Sequence, residues 1–189
     1  MTETSATKQN GETAKRSPWR NAVEWVLVVG VALAVAFAIK IFLIQAFYIP
    51  SASMEPTLKA GDRVLVNKVS YRLHDVHRGD VIVFRRPPNE PPSSIEDLIK
   101  RVVGLPGDTV EGRDGMVYIN GLPLDEPYLP EETYTSTFAT IHVPAGHVFV
   151  LGDNRGDSRD GRFFGPISTD LIVGHAFVKV WPPSRIGRL

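Results

Sequence analysis

Apolar residues follow two different patterns along this chain. Residues 25–44 form one apolar run interrupted only by Lys40 and Gln45 lies just beyond it, whereas past residue 50 the apolar positions come in short groups bounded by Gly, Pro, Asp and Asn. At about 1.5 Å per residue the run predicts a helix about 30 Å long, the depth of a bilayer core, and a transmembrane helix is expected over 21–45. Residues 1–20 are polar, with Lys8, Lys15, Arg16 and Arg20 against Glu3 and Glu12, and predict a disordered cytoplasmic tail. Positive charge is denser before the run than in the 15 residues after it, where only Lys59 appears, so the N-terminus is expected inside and residues 46–189 outside a cell membrane, in a single pass. Lys40 can snorkel to the headgroups, and Trp25 and Phe47-Tyr48 suit the two interfaces. The rival reading is a cleaved secretory signal, for which Ala34-Val35-Ala36 and Ala36-Phe37-Ala38 offer small residues; the run continues past them to Ile44, which favours a retained anchor.

The short groups read as strands. Residues 63–66, 81–84, 116–119, 141–143, 147–151 and 176–180 are rich in β-branched and aromatic side chains, and Gly79-Asp80, Asp114-Gly115, Asn120-Gly121 and Ala145-Gly146 supply turns between them. The fold class expected is mainly β: one N-terminal transmembrane helix followed by a single antiparallel outer domain, coiled-sheet or barrel-like, over 46–189. Residues 85–97 and 122–138 hold several prolines each and are expected to be surface loops with room for an extended edge.

Composition narrows the function by exclusion. Acidic and basic residues are equal in number, 21 of each, so no nucleic acid or polyanionic partner is expected. The lack of cysteine fits an outside compartment and rules out a disulfide framework, a thiolate metal site and a cysteine nucleophile.

The remaining chemistry centres on a hydroxyl and an amine. Ser53 lies in Ile49-Pro50-Ser51-Ala52-Ser53-Met54-Glu55-Pro56-Thr57-Leu58, directly after the apolar run, and Lys100 lies inside the apolar stretch Leu98-Ile99-Lys100-Arg101-Val102-Val103. Serine needs a base to become a nucleophile, and a lysine stripped of its proton by burial can serve. A third segment, Gly152-Asp153-Asn154-Arg155-Gly156-Asp157-Ser158-Arg159-Asp160-Gly161-Arg162, is polar and turn-rich and follows a predicted strand, a place where binding and catalytic residues gather. Of the five histidines, His142, His147 and His175 lie in or beside strands, and His74 and His77 make a weak metal pair, so no metal and no Ser-His-Asp triad is expected. No Gly-x-Ser-x-Gly elbow or phosphate loop is present.

Together these three segments resemble the boxes of the bacterial type I signal peptidases, membrane-bound Ser/Lys proteases that remove signal peptides from exported proteins. The resemblance implies that Ser53 attacks the scissile carbonyl and Lys100 is the general base. It implies an oxyanion hole formed by the Ser53 N–H and the Ser51 hydroxyl, Ser158 orienting Lys100, and Asp160, Arg162 and Arg101 in a supporting ion-pair network. It also places Ile49, Pro50, Met54, Leu98 and Ile99, with Phe47 nearby, around shallow pockets for an Ala-X-Ala site. An extended substrate can add as a strand beside Asp97-Leu98-Ile99 and the segment before Ser51. Expected partners are signal-peptide-bearing precursors and the lipid bilayer, with no cofactor and no obligate partner. One departure stands out: the family commonly has serine where Gly161 stands. Two rivals remain at this level, a dedicated Ser/Lys protease of pilus or conjugation type, and a tethered β-domain that binds exported chains without cutting them.

Overall fold

A computed structural model describes residues 18–189; the expected disordered tail lies, apart from its last three residues, outside the described ones. The N-terminal helix α1 covers Pro18–Phe42. Its window Asn21–Ile39 is long and apolar enough to cross a membrane. Val23, Val26, Leu27, Val31, Leu33 and Phe37 are all exposed, an apolar surface on every side, which is how a lipid-facing helix differs from an amphipathic one. The helix starts and stops three residues earlier than the 21–45 read from the sequence. Ile44 and Gln45 leave it because their backbone joins a strand ladder instead, with Ile44 opposite Asn67.

Residues 40–189 make up the second unit, and it is mainly β. Its strands are β1 (Ile44–Tyr48), β2 (Arg63–Asn67), β3 (Val81–Arg85), β4 (Asp97–Gly104), β5 (Thr109–Arg113), β6 (Met116–Ile119), β7 (Leu122–Pro123), β8 (Phe138–His142), β9 (His147–Leu151), β10 (Ile167–Ser168), β11 (Ile172–Trp181) and β12 (Gly187–Arg188). A large curled antiparallel sheet, open like half a barrel, runs β1-β2-β11-β3-β4-β9-β10 with β12 beside β11, and a smaller one runs β7-β6-β5-β8. The hairpin between β5 and β6 turns on Asp114-Gly115, both at positive φ, as a tight two-residue connection requires. Two four-residue helices, α2 (Ser70–Leu73) and α3 (Gly161–Phe164), and two 3₁₀ turns, Thr169–Leu171 and Pro183–Arg185, complete the unit.

Strand alternation sorts the apolar side chains into three cores. Ile49, Met54, Leu58, Val64, Val66, Val81, Val83 and Ile99 form one, Ile82, Phe84, Val102, Val148 and Val150 a second on the other side of the sheet, and Val103, Val110, Val117, Phe149 and Leu151 a third under the small sheet. Of the two proline-rich segments, 122–138 is the one with an extended edge. It carries β7, and its Thr135 is buried against Arg155, because that guanidinium needs acceptors away from water.

Candidate active site

Ser53 stands on an irregular loop between β1 and β2 that owes its shape to anchors on either side. Ile49, Met54 and Leu58 are buried in the first core, and backbone bonds from Ile49 N to Asp62 O and from Gly61 N to Ile49 O, both 2.9 Å, close the loop at its base. Ser53, directly before the fully buried Met54, is thus held at the core's margin, half-buried, where a hydroxyl can reach both the protein and an incoming chain.

Lys100 comes from β4, opposite Ile82 of β3. It is 4 % exposed, and its Nζ lies 2.6 Å from Ser53 Oγ. Burial is the main influence on the amine and pulls its pKa from 10.5 down to about 8; Asp160 and Asp153 oppose the shift, and Arg162 adds to it. No carboxylate makes an ion pair with it among the described residues, so nothing close at hand cancels the loss of water. Ser51, exposed, donates its hydroxyl to Ser53 Oγ at 3.3 Å.

The loop after β9 closes the site from behind. Asn154 N–H donates to the Ser53 carbonyl at 3.1 Å, and Asn154 Nδ2 donates to the Ala52 carbonyl at 3.2 Å. Because a peptide unit is planar and trans, fixing the Ala52 carbonyl turns the Ser53 N–H to the opposite side of that plane. Gly152 packs so closely here that a Cβ would overlap both the Ser53 carbonyl oxygen and Ser158 Oγ. The sequence picks out the segment containing Gly152 and Asn154 but gives neither residue a task; its signal is only the density of turn residues.

Asp160 holds this loop in shape. Its carboxylate accepts from Gly152 N–H at 2.9 Å and from Arg162 Nε and Nη2, both at 2.9 Å, and it caps α3. Arg101 does not join that network as expected. It forms a bidentate pair with Asp153, 2.9 and 2.7 Å, donates to the Gly79 carbonyl and lies over the Tyr128 ring. The reason is strand geometry: Arg101 follows Lys100 directly and so points to the opposite face. Arg155 donates to the Gly152 carbonyl, to Thr135 and to Glu126, tying the same loop to the 122–138 segment.

Ser158 Oγ is buried beside this cluster and has no hydrogen-bond partner among the described residues, so no bond to Lys100 is formed. Gly161, where a serine would be usual, leaves no room for a side chain: a Cβ would sit 2.7 Å from both the Phe149 ring and the Val150 carbonyl oxygen. Among the other expected residues, Ile49, Met54 and Ile99 are buried in the first core, Phe47 packs against it, and Pro50 and Asp97 are exposed. Leu98 instead packs on the second core, again because neighbours on a strand face opposite ways. His74, His77 and His175 gather around Asp80 and Tyr71, and no group of His, Cys, Asp or Glu among the described residues has the geometry to hold a metal ion.

The arrangement joins a hydroxyl to a buried amine of lowered pKa beside two free backbone edges. β1 ends the large sheet, and β9 pairs with β4 only from Arg101 onward, which leaves Asp97, Leu98 and Ile99 open on that side. Comparison with known proteins gives the family. The family "Signal peptidase, peptidase S26" matches residues 22–181. The chain is 44% identical to a probable signal peptidase I-1 of Synechocystis sp., over 92% of this chain and 89% of that protein, and 42% identical to a signal peptidase I of Leptolyngbya laminosa, over 88% and 83%. A crystal structure of a signal peptidase I from Enterococcus faecalis aligns over 54% of this chain and 97% of that one, with 39% identity and a TM-score of 0.46.

Proposed function

The chain belongs to the signal peptidase family, peptidase S26, and is a serine protease that acts on signal-peptide-bearing precursors; from that premise we propose that it cuts them with Ser53 as nucleophile and Lys100 as general base. The observation that carries this reading is the 2.6 Å contact between Lys100 Nζ and Ser53 Oγ, made by a buried lysine. With a pKa of about 8, roughly a tenth of the amine is neutral at pH 7 and can accept the hydroxyl proton.

The reaction follows in two steps. Ser53 Oγ attacks the scissile carbonyl as its proton passes to Lys100, and the oxyanion is held by the Ser53 N–H and the Ser51 hydroxyl, donors worth about 2.7–4 kcal/mol each in comparable sites. Lys100 then returns the proton to the leaving amine, and water activated by the same lysine releases the acyl group. Asp160 and Arg162 hold the loop that carries Ser158, whose buried hydroxyl, unpartnered among the described residues, turns to the lysine during turnover, and no cofactor is needed. The substrate lies extended along the open edges of β1 and β4 and offers small alanine-like side chains to the pockets near Ile49 and Ile99. Helix α1 anchors the enzyme with the N-terminus in the cytoplasm and the β unit outside.

Cleavage of a precursor with an Ala-X-Ala site by the detergent-solubilised full chain tests the reading. Cutting after the final alanine, absent in Ser53→Ala and in Lys100→Met, is the expected result; activity that survives Lys100→Met overturns the dyad. A tag at each end, probed with protease on intact cells, checks the orientation.

A further inference from the structure

Three strands each carry a row of alternate residues on the face of the large sheet that holds the first core, and each row turns from apolar to polar where it reaches one cavity. On β1 and the residue following it the row is Gln45, Phe47, Ile49; on β3 it is Arg85, Val83, Val81; on β4 it is Asp97, then Ile99. Ile49, Val81, Val83 and Ile99 belong to the first core, with Phe47 packed against it. Gln45, Arg85 and Asp97 lie one pleat repeat farther from Ser53 and, with Phe47, Arg86, Glu96 and Val173, line an open cavity of about 490 Å³. Arg85 and Asp97 are direct cross-strand partners in the register, yet neither forms an ion pair or a side-chain hydrogen bond among the described residues. Arg86, in contrast, is committed to the Ile95 and Pro91 carbonyls and to Glu90.

We infer that this cavity is a polar substrate subsite, formed by Arg85, Asp97 and Gln45, that receives the side chain of the fifth residue before the scissile bond. The inference rests on the proposed β-addition mode. An extended peptide repeats every two residues at the same spacing as the strands beside it, so alternate side chains meet successive levels of the rows. If the two alanines of an Ala-X-Ala site take the apolar levels near Ile49, Ile99 and Phe47, the next side chain on the same face arrives at Gln45, Arg85 and Asp97. An amide or hydroxyl there can accept from Arg85 and donate to Asp97 together. An aliphatic side chain leaves both charges less hydrated and unpaired, which is the unfavourable case. The subsite thus selects for polarity where the apolar part of a signal sequence gives way to the cleavage region.

Because Arg85 and Asp97 carry opposite charge, the test is a swing in preference. Synthetic peptides with an Ala-X-Ala site and Gln, Glu, Lys or Leu at the fifth position are compared by kcat/KM on the full chain in detergent. The parent protein is expected to favour Gln over Leu about tenfold, the effect of roughly one hydrogen bond to a charged group. Arg85→Leu moves the Glu-to-Lys ratio toward Lys and Asp97→Leu moves it toward Glu, each by about tenfold; misfolding lowers all peptides together and cannot produce opposite swings. The same peptides are ranked by binding to the Ser53→Ala chain, with and without each substitution. A binding order that swings as stated upholds the subsite even if nothing is cleaved, in which case only the Ser/Lys reading falls. A Glu-to-Lys ratio that is equal in the three proteins overturns the subsite.

Discussion

Two buried cations sit side by side on β4 and have opposite surroundings. Arg101, 3 % exposed, has both oxygens of Asp153, the Gly79 carbonyl and the Tyr128 ring around its guanidinium. Lys100, 4 % exposed, has one serine hydroxyl in reach of its amine. On the proposed reading the two faces of one strand separate structure from chemistry. A buried cation with a paired carboxylate stays charged and stiffens the fold, whereas a buried cation without one is pushed toward its neutral form, which is the state a base requires. Arginine suits the first role because it does not lose its proton, and lysine suits the second because it does.

Removing the lysine amine gives the largest effect expected. Lys100→Met should lower kcat by about 10²–10⁴-fold or more, the range ascribed to general bases, and Lys100→Arg should fail equally, since it retains a cation that cannot accept a proton. Rescue of turnover by Lys100→Arg would erase the contrast between the two faces. Next in size is Arg101→Met, which strands Asp153 in the interior and should cost about 3–5 kcal/mol of stability in urea unfolding.

Lys100→Met should act on stability in the other direction. The folded pKa of about 8 lies below the ordinary 10.5, so the unfolded chain binds more protons between those values and stability rises with pH across that window. Below pH 8 the folded state carries the full cost of burying the charge, on the order of 3 kcal/mol, and the methionine variant should be more stable there by up to that amount. Its advantage should shrink as pH climbs from 8 past 10.5, and a variant less stable than the parent at pH 7 would show that the amine is better accommodated than its single partner implies.

Smaller effects sharpen the same picture. Ser158→Ala removes a buried hydroxyl with no hydrogen-bond partner among the described residues, so the melting temperature should hold or rise while kcat falls; an unchanged kcat would end the orienting role proposed for Ser158. Turnover should increase with pH through a limb at about 8, as Lys100 loses its proton. Asp160 raises the lysine pKa, and Asp160→Asn should move that limb to lower pH, which a pH profile of kcat/KM would reveal.

Much of the scaffold could be read from the chain directly. The apolar run gave a helix because nothing polar interrupts it but Lys40, and 63–66, 81–84, 116–119 and 147–151 gave strands because β-branched residues alternate or cluster between turn residues. The boundary at Ile44 was not legible: an apolar residue there suits either state, and only the pairing of β1 with β2 decides it. The burial inside 122–138 was not legible for a similar reason, since Thr135 is held by Arg155, which comes from the loop after β9.

Within the site, the residue types were legible and their pairings were not. A serine beyond the apolar run and a lysine among β-branched neighbours named the two groups, because burial follows from local pattern. That Arg101 faces Asp153 and not Asp160, that Ser158 Oγ ends without a partner among the described residues, and that Asn154 grips the peptide carrying the Ser53 N–H all depend on which turn of the 152–162 loop meets which strand. The sequence by itself determined the membrane-length helix, the β character and the candidate nucleophile and base, since these rest on contacts between near neighbours and on hydrophobic burial, which has no direction. Tertiary structure alone decided the partner of each charge and the 2.6 Å approach of Lys100 to Ser53, because hydrogen bonds and ion pairs are directional and short-ranged, and here they join segments brought together only when the sheet curls.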